Sequence, residues 1–338
     1  MGEMSASELA EMPRVDLHRH LEGSIRPRTV LELGEQYGLP LPRDLAGVRA
    51  EVQVSSPDPN LMAFIAKIDR AASVFVSPDA CARVARECVE DAAADGLRYL
   101  ELRFSPFYMA QPHGLGADTV IEAVVDGVGR GQREQGVRVN LIGILNRTYG
   151  PQSAWREMHV LLAHRSKLVA LDIAGDEARY PGELFVGTFR RARAAGMRLT
   201  IHAGEAAGPA SVWQAVRDLG AERIGHGVHA IEDAALLDEL ARRGTGIESS
   251  LTSNVQTSTV ASYAAHPLRV FLERGLRATI NTDDPGVSGI TLSHELTVAA
   301  PAAGLSPAQV RQAQANAIAV AFLSEGEKAE LRAGRAPL

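Results

Sequence analysis

The strongest constraint on how this chain can fold is a repeated unit of helix, glycine and short apolar run. Ala80 to Asp95, Ala117 to Gln135, Leu184 to Ala195, Ser211 to Leu219 and Ala234 to Arg243 have helical periodicity, and Gly96, Gly136, Gly196, Gly220 and Gly244 close them. Glycine just past a helix takes the left-handed cap conformation. The strand candidates are Arg14 to Asp16, Leu97 to Arg103, Val137 to Leu145, Leu168 to Ile173, Met197 to Ile201, Arg223 to Ile224, Gly246 to Glu248 and Arg277 to Ile280. Runs such as Leu168 to Leu171 show no alternation, which suits strands buried on both faces of a parallel sheet. Eight such units joined by right-handed crossovers predict an α/β fold, a (β/α)8 TIM barrel. An open, doubly wound sheet is the alternative.

One interval breaks the rhythm. More than seventy residues separate His20 from Leu97, far more than one crossover helix needs. Thr29 to Tyr37 and Leu61 to Ala71 read as helices, with turns around Pro40-Leu41-Pro42 and Ser55 to Pro59. An insertion after the first strand, spanning about 24–95, sits on the face where βα-loops build active sites. It is expected to form a helical wall or lid over the pocket of a single domain, 1–338; the alternative is an insertion with no substrate contact. From Glu295 the chain is Ala-rich and helical, with Ser306-Pro307 opening one helix that includes Asn316 to Phe322, and a last helix from Glu325 to Arg332.

The formal net charge of -6 and the absence of a Lys/Arg block exclude the footprint of a nucleic-acid-binding protein. No run approaches the roughly 18 apolar residues of a membrane span, and no apolar leader precedes Pro13. Cys81 and Cys88 lie seven apart in one helical stretch, a spacing that forbids a disulfide within it, so both are expected as thiols in a reduced interior. The expectation is a cytoplasmic enzyme with neither membrane nor nucleic-acid partner, monomeric or homo-oligomeric.

Metal-type residues recur at the ends of the predicted strands. His18 and His20 end the first, His202 ends the fifth and Asp283 follows the eighth. Residues two apart on a strand share a face, so both early histidines can point at the barrel mouth. Imidazole and carboxylate ligands gathered from distant strands favour a catalytic Zn²⁺ with a position left for water, one ion per chain. The donor set also admits iron, manganese or cobalt. Glu205, three residues after His202, is placed to shuttle protons. His226 ends another strand between Gly225 and Gly227, while Asp284 and Gly175 sit at strand ends where a substrate can be read.

The motifs HRHLEGS, LELRFSP, LDIAGDE, TIHAGEAAGP, ERIGHGVHAIED, ESSLTSNVQTSTV and INTDDPGV, in this order, resemble the adenosine deaminases of the amidohydrolase superfamily, bacterial form, across essentially the whole chain. The resemblance implies a barrel with one zinc held by His18, His20, His202 and Asp283. It implies Glu205 as the proton shuttle, His226 as the residue orienting the attacking hydroxide, Asp283 as a further catalytic group, Asp284 as an acceptor on the purine N7 side and Gly175 as a backbone donor to N3. His20 and Glu22 join them in contacting the substrate. The implied reaction is hydrolytic deamination of a small purine nucleoside, adenosine or 2′-deoxyadenosine, to inosine or 2′-deoxyinosine and ammonia. Two positions depart from the pattern. Glu22 stands where nucleoside-specific members carry Asp, which also resembles relatives acting on adenine or 6-aminodeoxyfutalosine. Ser250 stands where close relatives carry Cys. The cysteine-ligated deaminases that edit nucleic acids are excluded, since no C-x-x-C exists.

Overall fold

The computed structural model describes residues 11–58 and 60–336. Pro59, at the end of one expected turn, and the first ten residues, part of the stretch read for a leader, lie outside them. Eight parallel strands follow one another in the order β1 to β8. They are β1 Arg14–His20, β2 Leu97–Phe104, β3 Arg138–Asn146, β4 Ala170–Ala174, β5 Arg198–Ala203, β6 Arg223–His226, β7 Gly246–Ser249 and β8 Arg277–Ile280. Every expected strand is present, with ends shifted by a few residues at most.

The circle closes between β8 and β1. Arg19 bridges Asp283, where the His20 N–H donates to the Asp283 carbonyl and the Asp283 N–H to the His18 carbonyl, both at 2.8 Å. Closure therefore falls on the candidate ligands themselves. β1 also carries a register irregularity between Asp16 and Arg19, the kind of local break that re-aims a side chain beside an active site.

The five helix-closing glycines all have φ between 66° and 85°, so each expected cap is left-handed. Most of the outer shell packs its apolar faces into one large core, and the two C-terminal helices add a smaller cluster with Val15, Leu17 and Tyr99. The interior of the strand ring is different, because Glu101, Arg103, Asp172, Arg223 and Glu248 are all buried there. Arg223 pairs with Glu101 at 2.5 Å and with Glu248 at 2.6 Å, while Arg103 pairs with Asp172 and Glu248, both at 2.6 Å. Charge inside a barrel is tolerable only when each group is paired and hydrogen-bonded.

Among the described residues the insertion holds four α-helices, α1 Pro27–Tyr37, α2 Leu45–Val52, α3 Leu61–Ala72 and α4 Pro78–Ala94. The expected helices are α1, α3 and α4. α2 was not foreseen, since its eight residues carry little amphipathic signal between proline-rich turns; Asp44 caps it by accepting from the Gly47 N–H. Cys81 and Cys88 are buried thiols on α4. At the C-terminus the helix Pro307–Val320 stops short of Phe322 because Ala321 turns to an extended conformation. The Glu325–Arg332 helix is as expected.

Candidate active site and metal centre

His18 and His20 from β1, His202 from β5, His226 from β6 and Asp283 beyond β8 converge at the C-terminal mouth of the barrel. One ligand atom from each of His18, His202, His226 and Asp283 lies within 4.8 Å of the others. His20 completes the group, its Nε2 3.2 Å from His202 Nε2 and 3.3 Å from Asp283 Oδ1. His18 Nε2 stands 3.2 Å from the same oxygen. His226 Nε2 is further out, 3.8 Å from Asp283 Oδ2 and 3.7 Å from Glu205 Oε2.

Local backbone geometry is unusual where these side chains are delivered. His226 and Asp283 have φ of 63° and 62°, a conformation that costs a side-chain-bearing residue roughly 1–3 kcal/mol and clusters at functional sites. Gly225 supplies room: a Cβ there would lie 2.9 Å from His18 Cε1 and 3.3 Å from His202 Cγ. A glycine next to His226 permits close approach, and the rings of two other histidines are what approaches it.

Behind the cluster stand groups that the sequence reading did not single out. His18 Nδ1 donates to Glu248 Oε2 at 2.7 Å, and His202 Nδ1 stands 2.9 Å from Asp172 Oδ2. A carboxylate behind Nδ1 fixes the tautomer whose Nε2 lone pair faces a metal. Burial opposes ionisation of Glu248, yet Arg103 and Arg223 hold it well below the ordinary carboxyl range. Ser253 donates to Asp283 Oδ2 at 2.7 Å. Glu177 accepts backbone N–H groups of Gly204, Glu205, Ala206 and Ala207 at 2.7–3.1 Å, which fixes the loop carrying Glu205. Most of these residues lie inside the motif blocks, and Arg103, Asp172 and Glu248 occupy inward positions of β2, β4 and β7. Their tell was a charge in the middle of an apolar strand.

The donor set fits a divalent cation. His18 Nε2 is buried, faces the other ligand atoms and has no hydrogen-bond partner, an orphan that a cation would satisfy. Mixed imidazole and carboxylate donors are those of a single zinc site.

The cavity above the cluster is lined by Glu22, Gly175, Glu205 and Asp284, and by Leu61, Phe64, Ile65 and Ile68 of α3. The last four recur at the spacing of one helix face, so the insertion does reach the pocket. Burial, reinforced by Asp283 and Glu177, pushes the Glu205 carboxyl well above its usual range. Burial, Asp283, Glu22 and Glu205 do the same to Asp284. Glu22 accepts the Ser105 N–H through Oε1 at 2.6 Å, its Oε2 is buried without a partner, and burial raises it to about 7. Gly175, at φ 109°, has no room for a side chain, since a Cβ would lie 2.6 Å from Thr148 Oγ1. Nothing in the structure explains Ser250 in place of Cys.

A closed parallel barrel with a buried histidine–carboxylate centre at its C-terminal mouth defines a metal-dependent hydrolase of the amidohydrolase type. The family model for adenosine deaminase matches residues 13–334. The chain is 59% identical to the adenosine deaminase of Shigella flexneri over 322 residues, covering 95% of this chain and 97% of that one. It is 58% identical to adenosine deaminase of Escherichia coli O1:K1, with the same coverage. Among solved structures, an adenine deaminase from Arthrobacter aurescens superposes with a TM-score of 0.89 at 27% identity, covering 95% of this chain and 97% of that one. A zinc-bound amidohydrolase from Burkholderia ambifaria gives 0.89 at 28% identity, covering 98% and 92%. The chain belongs to the adenosine deaminase family, hydrolases acting on a cyclic amidine. Among the described residues no helix is long and apolar enough to cross a membrane.

Proposed function

We propose that this protein hydrolyses the 6-amino group of adenosine and 2′-deoxyadenosine, giving inosine or 2′-deoxyinosine and ammonia. One observation carries the reading: the metal cluster opens into the same cavity as two buried carboxyls that burial and neighbouring carboxylates push well above their usual range. Ligand atoms about 2.0–2.2 Å from one zinc ion, with a further position left for water, stand roughly 3–3.6 Å from their neighbours. The separations of 3.2, 3.2 and 3.3 Å linking His18, His20, His202 and Asp283 are close to that spacing. They support these four as the ligands, with His226 outside the set at 3.8 Å.

When bound, zinc lowers the pKa of a coordinated water toward neutrality and so supplies the nucleophile. The chain's own groups do the rest. Glu205, whose carboxyl is pushed well above its usual range, gives a proton to N1, which breaks the ring's aromaticity and opens C6 to attack. Water oxygen bonds to C6, the C6–N6 bond breaks, and ammonia leaves with a proton passed through Glu205. Purine N7 has only a lone pair, so Asp284, its carboxyl pushed up by burial and its neighbours, serves it best as a donor, where the resemblance implies an acceptor. The Gly175 N–H serves N3. Glu22 Oε2, left without a partner, takes the ribose 5′-hydroxyl. The apolar face of α3 acts as the lid that keeps bulk water out. The buried thiols agree with a reducing, cytoplasmic setting.

The test is kcat/KM for adenosine, 2′-deoxyadenosine, adenine and 6-aminodeoxyfutalosine on one zinc-loaded preparation. Adenosine is expected to lead, and 5′-deoxyadenosine to fall well behind because it strands a buried carboxylate. A tenfold preference for adenine or 6-aminodeoxyfutalosine would reject the reading of Glu22. Glu205→Gln should retain zinc and lose about 10²-fold or more in kcat. Near-normal turnover removes Glu205 from the proton path.

A further inference from the structure

The three central histidines differ in what stands behind them. His18 and His202 have carboxylates at Nδ1, but His226 has the side chain of Asn254, with Nδ2 at 3.0 Å from His226 Nδ1. Asn254 is buried and in turn meets His266, whose Nε2 is 3.0 Å from Asn254 Oδ1. The line ends at backbone: the Leu268 N–H donates to His266 Nδ1 at 3.1 Å.

A backbone N–H can only donate, so the polarity of the whole line follows from its last member. His266 Nδ1 must accept, and its single proton is therefore on Nε2. A doubly protonated ring would set one N–H against another at Leu268. Burial agrees, lowering His266 to about 3. His266 Nε2–H then requires the oxygen of Asn254 on its side, which turns the Asn254 amide N–H toward His226. His226 Nδ1 must accept in its turn, and its proton is left on Nε2, the nitrogen facing the cluster.

We propose that Asn254 and His266 are positioning residues that lock His226 as the Nε2–H tautomer, so that it donates to the attacking oxygen instead of ligating the metal. The proposal rests on the reading of the cluster as a deaminase centre, and it assigns opposite hydrogen-bond polarity to two kinds of histidine in one site. Neither residue touches the cavity; both act through His226. The line spans the short helix Leu251–Gln256 after β7 and the start of the helix Leu268–Glu273.

The direct test is the ring ¹⁵N spectrum of histidine-labelled, zinc-loaded protein, with His226 assigned by the signals lost in His226→Gln. A neutral Nε2–H ring is expected. A Nδ1–H ring, or an Nε2 shifted by metal coordination, overturns the proposal. His266→Leu should lower kcat for adenosine about tenfold or more, leave KM within about threefold and keep one zinc per chain. His266→Gln, whose amide can still donate to Asn254, should recover kcat to within about threefold of the parent. Unchanged kcat in His266→Leu, or equal loss in both variants, also overturns it. Absence of adenosine turnover in the parent protein would count against the proposed function alone, because the tautomer is read without substrate.

Discussion

Glu248→Gln probes the charge network behind the metal centre, and its cost can be worked from the contacts. Oε2 takes His18 Nδ1 at 2.7 Å and Arg103 Nη2 at 2.6 Å; Oε1 takes Thr200 Oγ1 at 2.8 Å and Arg223 Nε at 2.6 Å. An arginine donor thus sits at each oxygen. Whichever way a glutamine amide is turned, its NH₂ meets an arginine N–H, so one end of the side chain changes from attraction to a donor–donor contact. Hydrogen bonds to charged groups contribute roughly 1.5–3 kcal/mol each. Breaking a buried ion cluster by removing one partner costs about 3–5 kcal/mol. The two figures describe overlapping effects, so the expected loss is about 3–5 kcal/mol and not their sum. Urea unfolding of the chelator-treated protein, followed by far-ultraviolet circular dichroism, measures this without a contribution from metal binding. If the amide settles on the His18 side, zinc affinity should also fall roughly 10–100-fold, read by competition with a chromophoric chelator. A stability loss under about 1 kcal/mol would show that solvent or a shifted arginine takes up the charge, and the network argument would fail.

Gly225→Ala should weaken zinc binding about tenfold or more, because its Cβ would press on His18 and His202, at 2.9 and 3.3 Å, while Glu248 holds the His18 ring from behind; parent-like affinity in the same chelator competition would mean that the rings yield. The pH dependence of stability should carry a signature of His266. Its folded-state pKa is about 3, below the roughly 6.5 of an unfolded histidine, so its neutral form contributes stability that is complete above pH 6.5 and is lost progressively as pH falls toward 3. Between pH 6.5 and 5 the parent should lose about 1.6 kcal/mol more than His266→Gln, and parallel unfolding curves for the two would contradict this. Removal of zinc by chelation should abolish adenosine turnover, with recovery on adding the metal back; turnover that persists at verified zero zinc would refute the metal assignment.

The sequence by itself determined the eight-stranded barrel and the main members of the site. Glycine caps and unalternating apolar runs are local properties, and they set element type before any long-range contact forms. The spacing of His18 and His20, the offset of Glu205 from His202 and the position of Asp283 after the last strand likewise needed only the rule that strand ends gather at one barrel face. α2 escaped because its signal was weak, and the helix Leu251–Gln256 because six mostly polar residues carry no apolar periodicity.

Tertiary structure alone decided the direction of each hydrogen bond at the centre. A histidine is a ligand or a donor according to the group behind its other nitrogen, and those groups come from far along the chain, Glu248 for His18 and Asn254 for His226. The upward push on the Asp284 carboxyl was set the same way, by burial beside Asp283, Glu22 and Glu205. Proton position depends on the summed field and contacts of neighbours in space, and no pattern of residue types along one strand encodes that sum.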